Sequence, residues 1–372
     1  LPPDTGLYLH WPFCARVCPY CDFNVLRWRG PPDEAAWLAA YTRDFDQAIE
    51  RVGARRLVSL YLGGGTPSLL PLTLLEALLT RLQPYFAAQI EITLEANPED
   101  IDEARLAAWA ALGINRLSLG VQSLDATRLK FLGRRHSPKA ARQAVERALS
   151  FIPNTSVDLI FARPGDSRAS WRQELAALLA LDAPHLSLYG LTIEPGTAFA
   201  RQVAQRRWQP LAADTTADLL LETRAALGKA GYDLYEVSNA ARPGFQSRHN
   251  LLYWQSADWI GIGPGAQGRL TQQGKRISQS QPRPPAAWLS GEACGDWQDL
   301  SEPEVSLERL LMGLRVQQGV AWSQVKKSIN PQFCTQAIEA GWLNLHNERL
   351  RASEAGLMRL DALLAELVAD AS

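Results

Sequence analysis

Nowhere in this chain is there an uninterrupted apolar run of the roughly 18 to 20 residues that a membrane-spanning helix needs. A surplus of either charge is missing too: 38 Lys and Arg stand against 39 Asp and Glu, which leaves −1. That balance gives no broad basic footprint for nucleic acid. It also argues against wide adhesion to an anionic membrane, although a local patch for peripheral membrane contact stays open. The first ten residues lack a basic segment followed by an apolar run, so they do not read as a signal peptide. They also lack an initiating Met, and a short leader is expected to have been trimmed. Repeats and low-complexity tracts are absent. Cysteine is scarce and odd in number, five in all, with three of them crowded into residues 14–21. A disulfide framework would not be spaced in this way; a reducing, cytoplasmic setting and a metal site fit better.

What is present suits a sizeable core, since 47% of the 372 residues are apolar. Short runs rich in Leu, Ile, Val and Tyr occupy residues 6–10, 57–62, 90–95, 115–120, 156–161 and 185–191, as buried parallel strands do. Between them, residues 35–51, 72–82, 102–112 and 138–149 carry a single apolar stripe and read as helices. This alternation predicts an α/β fold with a parallel sheet, and six units suggest an incomplete (β/α)6 barrel. Past Gly231 the composition shifts toward Trp, Gln and Gly, and residues 278–285 read as a loop. Helical patterns return over 304–316, 322–329 and 353–368. The expected organisation is a barrel domain over 1–235, a connecting segment over 236–300 and a small, mostly helical C-terminal domain over 301–372.

The chemistry-bearing residues cluster just after the strands, where barrels place their active sites. After the first strand stands Cys14-Ala-Arg-Val-Cys18-Pro-Tyr-Cys21. Three thiolates on a four-iron cubane leave one iron open to a reactive ligand, so the spacing points to a [4Fe–4S] cluster. A zinc site completed by Cys294, Cys334 or His10 is the alternative, as are three ordinary core cysteines. After the second strand comes Gly63-Gly64-Gly65-Thr66, whose glycines allow close backbone approach and offer free peptide groups, or simply form a tight turn. Glu95, Gln122, Arg134 and Asp158 follow at or near the next strands and point at one mouth.

In this combination the chain resembles the radical S-adenosylmethionine (SAM) superfamily. Within it, the chain resembles the branch that holds oxygen-independent coproporphyrinogen III oxidase and the HemW-type haem chaperones. The resemblance implies a radical SAM barrel in which SAM chelates the open iron and is cleaved to a 5′-deoxyadenosyl radical. It implies that the run Gly63 to Thr66 meets the amino group of SAM and that Arg134 pairs with its carboxylate. Glu95, Gln122 and Asp158 would bond the ribose and the sulfonium-bearing chain. Tyr20 would pack on adenine, unless it merely packs under the loop, and Tyr8 would orient the ligand near the cluster.

His249-Asn-Leu-Leu-Tyr253-Trp254 resembles the haem signature of the chaperones. By that resemblance His249 would ligate haem iron, Tyr253 and Trp254 would pack on the macrocycle and Arg248 would meet a propionate; the alternative is a hydrogen-bonded structural histidine. His10, His136, His185 and His346 are assigned to structure. Two departures stand out. Gln267 occupies a place where relatives often have His, and Arg163 is expected to add a charge near the pocket mouth. Phe23 stands where the decarboxylase has a fourth cysteine. The decarboxylase also has a sizeable segment ahead of its first strand, where this chain has only a few residues. Both favour a haem chaperone that serves haem-accepting proteins, although trimming would account for the second. The alternatives are coproporphyrinogen III decarboxylation or another radical SAM reaction. A homodimer stays open.

Overall fold

The computed structural model describes residues 3–291 and 295–368. All six expected strands form: β1 (Asp4–Trp11), β2 (Arg56–Gly64), β3 (Phe86–Ala96), β4 (Arg116–Gln122), β5 (Thr155–Phe161) and β6 (His185–Gly190). They lie side by side in chain order, each parallel to the next. Helices return the chain between them. Glu34–Val52 starts where the Asp33 carboxylate accepts from the Ala36 N–H, and Pro138–Phe151 starts where Ser137 accepts from Ala140. Trp37, Ala40, Tyr41, Phe45 and Ala48 form one buried stripe on the first of these.

Strand periodicity then divides the barrel into an apolar outside and a polar inside. Leu7, Leu9, Leu60, Leu62, Leu94, Leu117, Leu119, Val157 and Leu159 belong to the main hydrophobic core under the helices. The alternate positions are Tyr8 and His10, Ser59 and Tyr61, Thr93 and Glu95, Arg116 and Ser118, Ser156 and Asp158, and His185 and Ser187. They supply the polar interior on which the site stands.

A seventh parallel strand, β7 (Trp259–Ile262), joins beside β1, and β8 (Gln267–Gln272), β9 (Lys275–Ser280) and β10 (Asp296–Asp299) extend it antiparallel. Beyond β6 lie the short strands Asn239–Ala241 and Asp233–Leu234, so the twelve strands run between two edges. Stretch 236–300 therefore builds sheet: Ile260, Ile262, Leu270, Ile277 and Trp288 share the main core. Asp44, on the first helix, ties it in by accepting from the Gly263 N–H at 3.0 Å and from Trp288 Nε1 at 2.7 Å. Of the expected loop 278–285, the first three residues complete β9 and the last opens helix Pro285–Ser290; only 281–284 is loop. The strand was missed because it carries a single buried aliphatic residue, Ile277, among polar ones.

The C-terminal region has its own core, with Leu310, Leu314, Val325, Cys334, Leu343, Leu350 and Leu363. Its helices are Glu302–Gly313, Trp322–Val325, Pro331–Glu339, Glu354–Leu357 and Leu360–Val368. The expected 322–329 helix is a single turn, and 353–368 is two helices rather than one. The strands Val320–Ala321, Leu343–His346 and Arg349–Ala352 add a small antiparallel sheet.

Arg163 corrects an expectation. It does not stand at the mouth: it is 1% exposed, because Ala162 at φ 59° turns the chain inward. Its guanidinium bonds Asp166 at 2.9 Å, Glu174 at 2.5 Å and Ser123 at 2.9 Å. Breaking such a group leaves the buried Glu174 without its cation, while Asp166 keeps Arg128 at 2.9 Å, so Arg163→Met is expected to cost about 3 to 5 kcal/mol. An unchanged urea midpoint would contradict this.

Candidate functional site

The loop that follows β1 is fastened by main-chain bonds. Leu26 N–H donates to Pro12 O at 2.7 Å and Trp28 N–H to Cys14 O at 2.8 Å. The glycine run after β2 docks directly beneath it: Gly65 N–H donates to Trp11 O at 2.7 Å and Thr66 N–H to Phe13 O at 2.8 Å. A Cβ on Gly65 would stand 2.5 Å from Phe13 O, and one on Gly64, at φ +112°, 2.6 Å from the His10 ring. The glycines are therefore needed for loop-to-loop contact. Their N–H groups are not free as expected, since Gly64 N–H is also taken, by Glu95 Oε2 at 3.2 Å. The positive amino group of a ligand needs acceptors, so this leaves the expected contact unaffected.

Above these loops lies a cavity of about 410 Å³, within the usual range for ligand sites. Cys14, Cys18, Cys21, Tyr20, Gly64, Gly65, Thr66, Glu95, Gln122, Arg134 and Asp158 all line it. Gly63 does not; its Cα faces the Tyr8 and Tyr61 rings. Tyr8 lines a neighbouring cavity instead, with its hydroxyl 2.9 Å from His10 Nδ1. Tyr20 packs with Phe199, Leu132 and Ile160, so it serves both as wall and as packing.

Burial, reinforced by the neighbouring cysteines, pushes the Cys14 thiol up to about 11; burial likewise takes Cys21 to about 11. Clustered thiols of this kind are relieved by a metal that takes them as thiolates. Among the described residues no three His, Cys, Asp or Glu side chains are placed to hold a single metal ion. Three sulfurs on one cavity suit a cubane, in which each thiolate caps its own iron. Two of the zinc alternatives fall away. His10 has both ring nitrogens engaged, by Tyr8 and by Asn24 O at 2.9 Å. Cys334 sits in the C-terminal core, and Cys294 lies outside the described residues.

The rest of the cavity matches a ligand with one carboxylate and a positive chain. Arg134 donates to Gly120 O at 2.7 Å and to Asn97 Oδ1 at 2.5 Å, has no carboxylate partner among the described residues, and keeps a buried, unpartnered Nε. A carboxylate would complete it. Glu95 accepts from Tyr61 at 2.9 Å, and burial, with Asp158 adding, raises its pKa to about 7. Asp158 accepts from Ser118 at 2.8 Å and Ser156 at 2.9 Å, and is also raised by burial. Gln122 is aimed inward by a register shift in β4 and a left-handed φ of 65°. Tyr61, Asn97, Ser118 and Tyr189 also line the cavity and were not anticipated. Strand parity would have found Tyr61 and Ser118, and Asn97 lies two residues past Glu95.

His249 is placed differently from the expectation. It is 1% exposed. Its Nδ1 lies 2.8 Å from Ser59 Oγ, its Nε2 lies 2.7 Å from Tyr253 OH, and its ring stacks on Tyr61 at 5.1 Å. The ligand role assigned to it finds no free nitrogen here. Burial, with Arg116 adding, lowers its pKa to about 3. His136 and His185 also have both nitrogens bonded, and His346 is exposed on the C-terminal sheet.

A strand-by-strand parallel barrel whose first loop presents three cysteines beside a SAM-shaped polar set is the architecture of a radical SAM protein. Comparison agrees: the Radical SAM superfamily model matches residues 8–178, and the HemN C-terminal domain model matches 300–359. The chain is 38% identical to radical S-adenosyl methionine domain-containing protein 1, mitochondrial, of Bos taurus, over 98% of this chain and 87% of that one. It is 33% identical to heme chaperone HemW of Escherichia coli (strain K12), over 99% of both. The chain therefore belongs to the radical SAM superfamily and, within it, to the family of the HemW proteins. The structure of coproporphyrinogen III oxidase (HemN) from Escherichia coli shares the fold, with a TM-score of 0.80 at 20% identity over 98% of this chain and 89% of that one. The family implies a [4Fe–4S] cluster and SAM, and the donor sets above fit both.

Two outcomes follow. After anaerobic reconstitution, Cys14→Ser, Cys18→Ser and Cys21→Ser are expected to lose bound iron and sulfide, while Cys294→Ser and Cys334→Ser keep them; loss in either of the latter would redraw the ligand set. His249→Ala leaves Ser59 and Tyr253 unpartnered and is expected to cost about 2 to 4 kcal/mol at neutral pH. Because the folded pKa lies below the unfolded value, this stabilisation is full above about pH 6.5 and fades as pH falls toward 3. Denaturant titrations of both proteins across that window check the sign.

Proposed function

We propose that this chain is a haem chaperone that binds haem and passes it to acceptor proteins, with the cluster and SAM governing loading or release. Full-length similarity to the HemW proteins carries the reading. Phe23 supports it, because the thiol that marks the decarboxylase branch is replaced by an apolar ring, 63% exposed.

The haem is assigned to the second cavity, about 660 Å³, which shares Phe23, Gly64 and Glu95 with the first. Phe23, Tyr253 and Trp259 offer it aromatic surface, and Gln267 and Arg283 stand on the same lining. Arg283 has no acidic partner within ion-pair distance among the described residues, so it is open to a propionate. His249 lies beneath Tyr253 as support rather than as an iron ligand.

Titrating haemin into reconstituted protein and following the Soret band tests this. Wild type is expected to bind, Arg283→Gln to bind about tenfold more weakly, and folded His249→Ala to keep the wild-type spectrum. A lost Soret shift in folded His249→Ala would restore the ligand role. Stoichiometric oxidation of coproporphyrinogen III with SAM and reductant would replace the chaperone reading with the decarboxylase one.

A further inference from the structure

Below the floor of the first cavity, inside the barrel, a buried cation has no partner in contact among the described residues. Arg116 opens β4, two positions before Ser118 on the same face, and pairs in register with Thr93 of β3. It is 2% exposed. Its guanidinium makes no hydrogen bond or ion pair among the described residues, and its Nε is buried and unpartnered, as is Thr93 Oγ1. Taking a cation out of water costs several kcal/mol unless it is compensated. Arg163, equally buried, is compensated by two carboxylates in contact. Arg116 is compensated only across space.

The groups it faces identify its role. Arg116 lies near Glu95 and Asp158 and opposes the effect of burial on both. It also acts on Tyr61 and Tyr235, and it disfavours charge on His185 and His249. Around Glu95 stand Tyr61, the Gly64 N–H, Asp158, Tyr8, Tyr253 and Cys21; around Asp158 stand Ser118, Ser156, Ser187 and Tyr189, and the buried Glu236 acts on Tyr189 and Tyr235 as well. Both carboxylates already have hydrogen-bond donors from tyrosine, serine or backbone groups. Arg116 is the cation that acts on both, and it stays outside ion-pair distance of either.

We infer that Arg116 is a positioning residue of the SAM site, a buried counter-charge that lets Glu95 and Asp158 carry negative charge together without touching either. Two carboxylates over one guanidinium leave the floor one negative charge. SAM carries a sulfonium, an ammonium and a carboxylate; with the carboxylate claimed by Arg134, two positive groups remain. Each floor carboxylate has one of them to meet, provided that both are ionised. A guanidinium in contact would occupy the carboxylate oxygens; one held at a distance leaves them aimed at the cavity. This inference rests on SAM binding by the family and not on the haem reading, so the two fail separately.

The test compares reconstituted wild type, Arg116→Met and Arg116→Lys. Calorimetry with SAM is run from about pH 6 to pH 8.5, a window that brackets the raised Glu95. In Arg116→Met one of the facing carboxylates is expected to stay protonated at neutral pH. SAM affinity then falls about tenfold near pH 7 and recovers at higher pH, so that the profile shifts alkaline by about one unit. S-adenosylhomocysteine, which lacks the sulfonium charge, should lose less. Without SAM, the infrared band of a buried protonated carboxyl should be stronger in Arg116→Met than in wild type. Arg116→Lys, which keeps the charge, should follow the wild-type profile. A folded Arg116→Met with full iron and sulfide and wild-type profile and band would overturn the inference, as would a Lys variant that behaves like Met. If Arg116→Met does not fold, Arg116→Met/Glu95→Gln, relieved of one facing charge, is expected to fold, and its failure would also overturn the inference.

Discussion

The site depends on two backbones meeting without side chains between them. The turn after β2 passes so close under the cysteine loop that Gly65 and Thr66 donate straight into the carbonyls of Trp11 and Phe13. Any Cβ on Gly64 or Gly65 would force the loops apart. That contact sets the height of Cys14, Cys18 and Cys21 over the barrel mouth. It also leaves Gly64 N–H to anchor Glu95, which is why the cluster pocket and the carboxylate of the ligand pocket share one frame. Shifting the loop would move both together.

Beneath that frame the barrel is polar inside, and its energetic balance is unusual. Each buried group has to be met by a partner or counter-charge. Ser118 and Ser156 meet Asp158, Tyr61 meets Glu95, Ser156 and Tyr235 meet His185, and Ser59 and Tyr253 meet His249. Among the described residues Arg116 and Glu236, one of each sign, are left without an ion-pair partner in contact. A pocket floor that stays one charge negative is a poor arrangement for an empty core and a suitable one for a cationic cofactor.

Much of this was legible in the chain because two simple signals agree with the fold. Leu- and Val-rich runs at six places gave the parallel strands, and the residues just after them gave most of the cavity lining, from Cys14 round to Asp158. The misses have physical reasons. β7 spans only four residues, with Gly261 among them and Gly263-Pro264-Gly265 directly after, and β9 is a polar strand of six residues. The short strands of the C-terminal region are likewise hidden among helical patterns. Arg163 was misplaced because a sequence shows a charge but not the left-handed turn that folds it inward. Gly63 was grouped with its neighbours by motif, although strand parity turns it toward tyrosine rings.

His249 shows why a motif residue and a ligand are different claims. Its helix, Arg248–Trp254, begins with Ser247 as cap, and Glu91 accepts from the Arg248 and His249 N–H groups at 3.1 Å. The imidazole then bridges β2 through Ser59 and its own helix through Tyr253, under the stacked ring of Tyr61. Replacing it disturbs Tyr61, hence Glu95, hence the pocket floor. Weaker SAM binding on mutation would therefore follow from its place in the packing alone, whereas a lost Soret shift would not. The coupling runs the other way as well: Tyr253 lines the second cavity while its hydroxyl holds His249, so a ligand that displaced Tyr253 would reach the carboxylate floor through two hydrogen bonds and one stacked pair of rings. The two cavities are joined by this chain of contacts as well as by their shared wall.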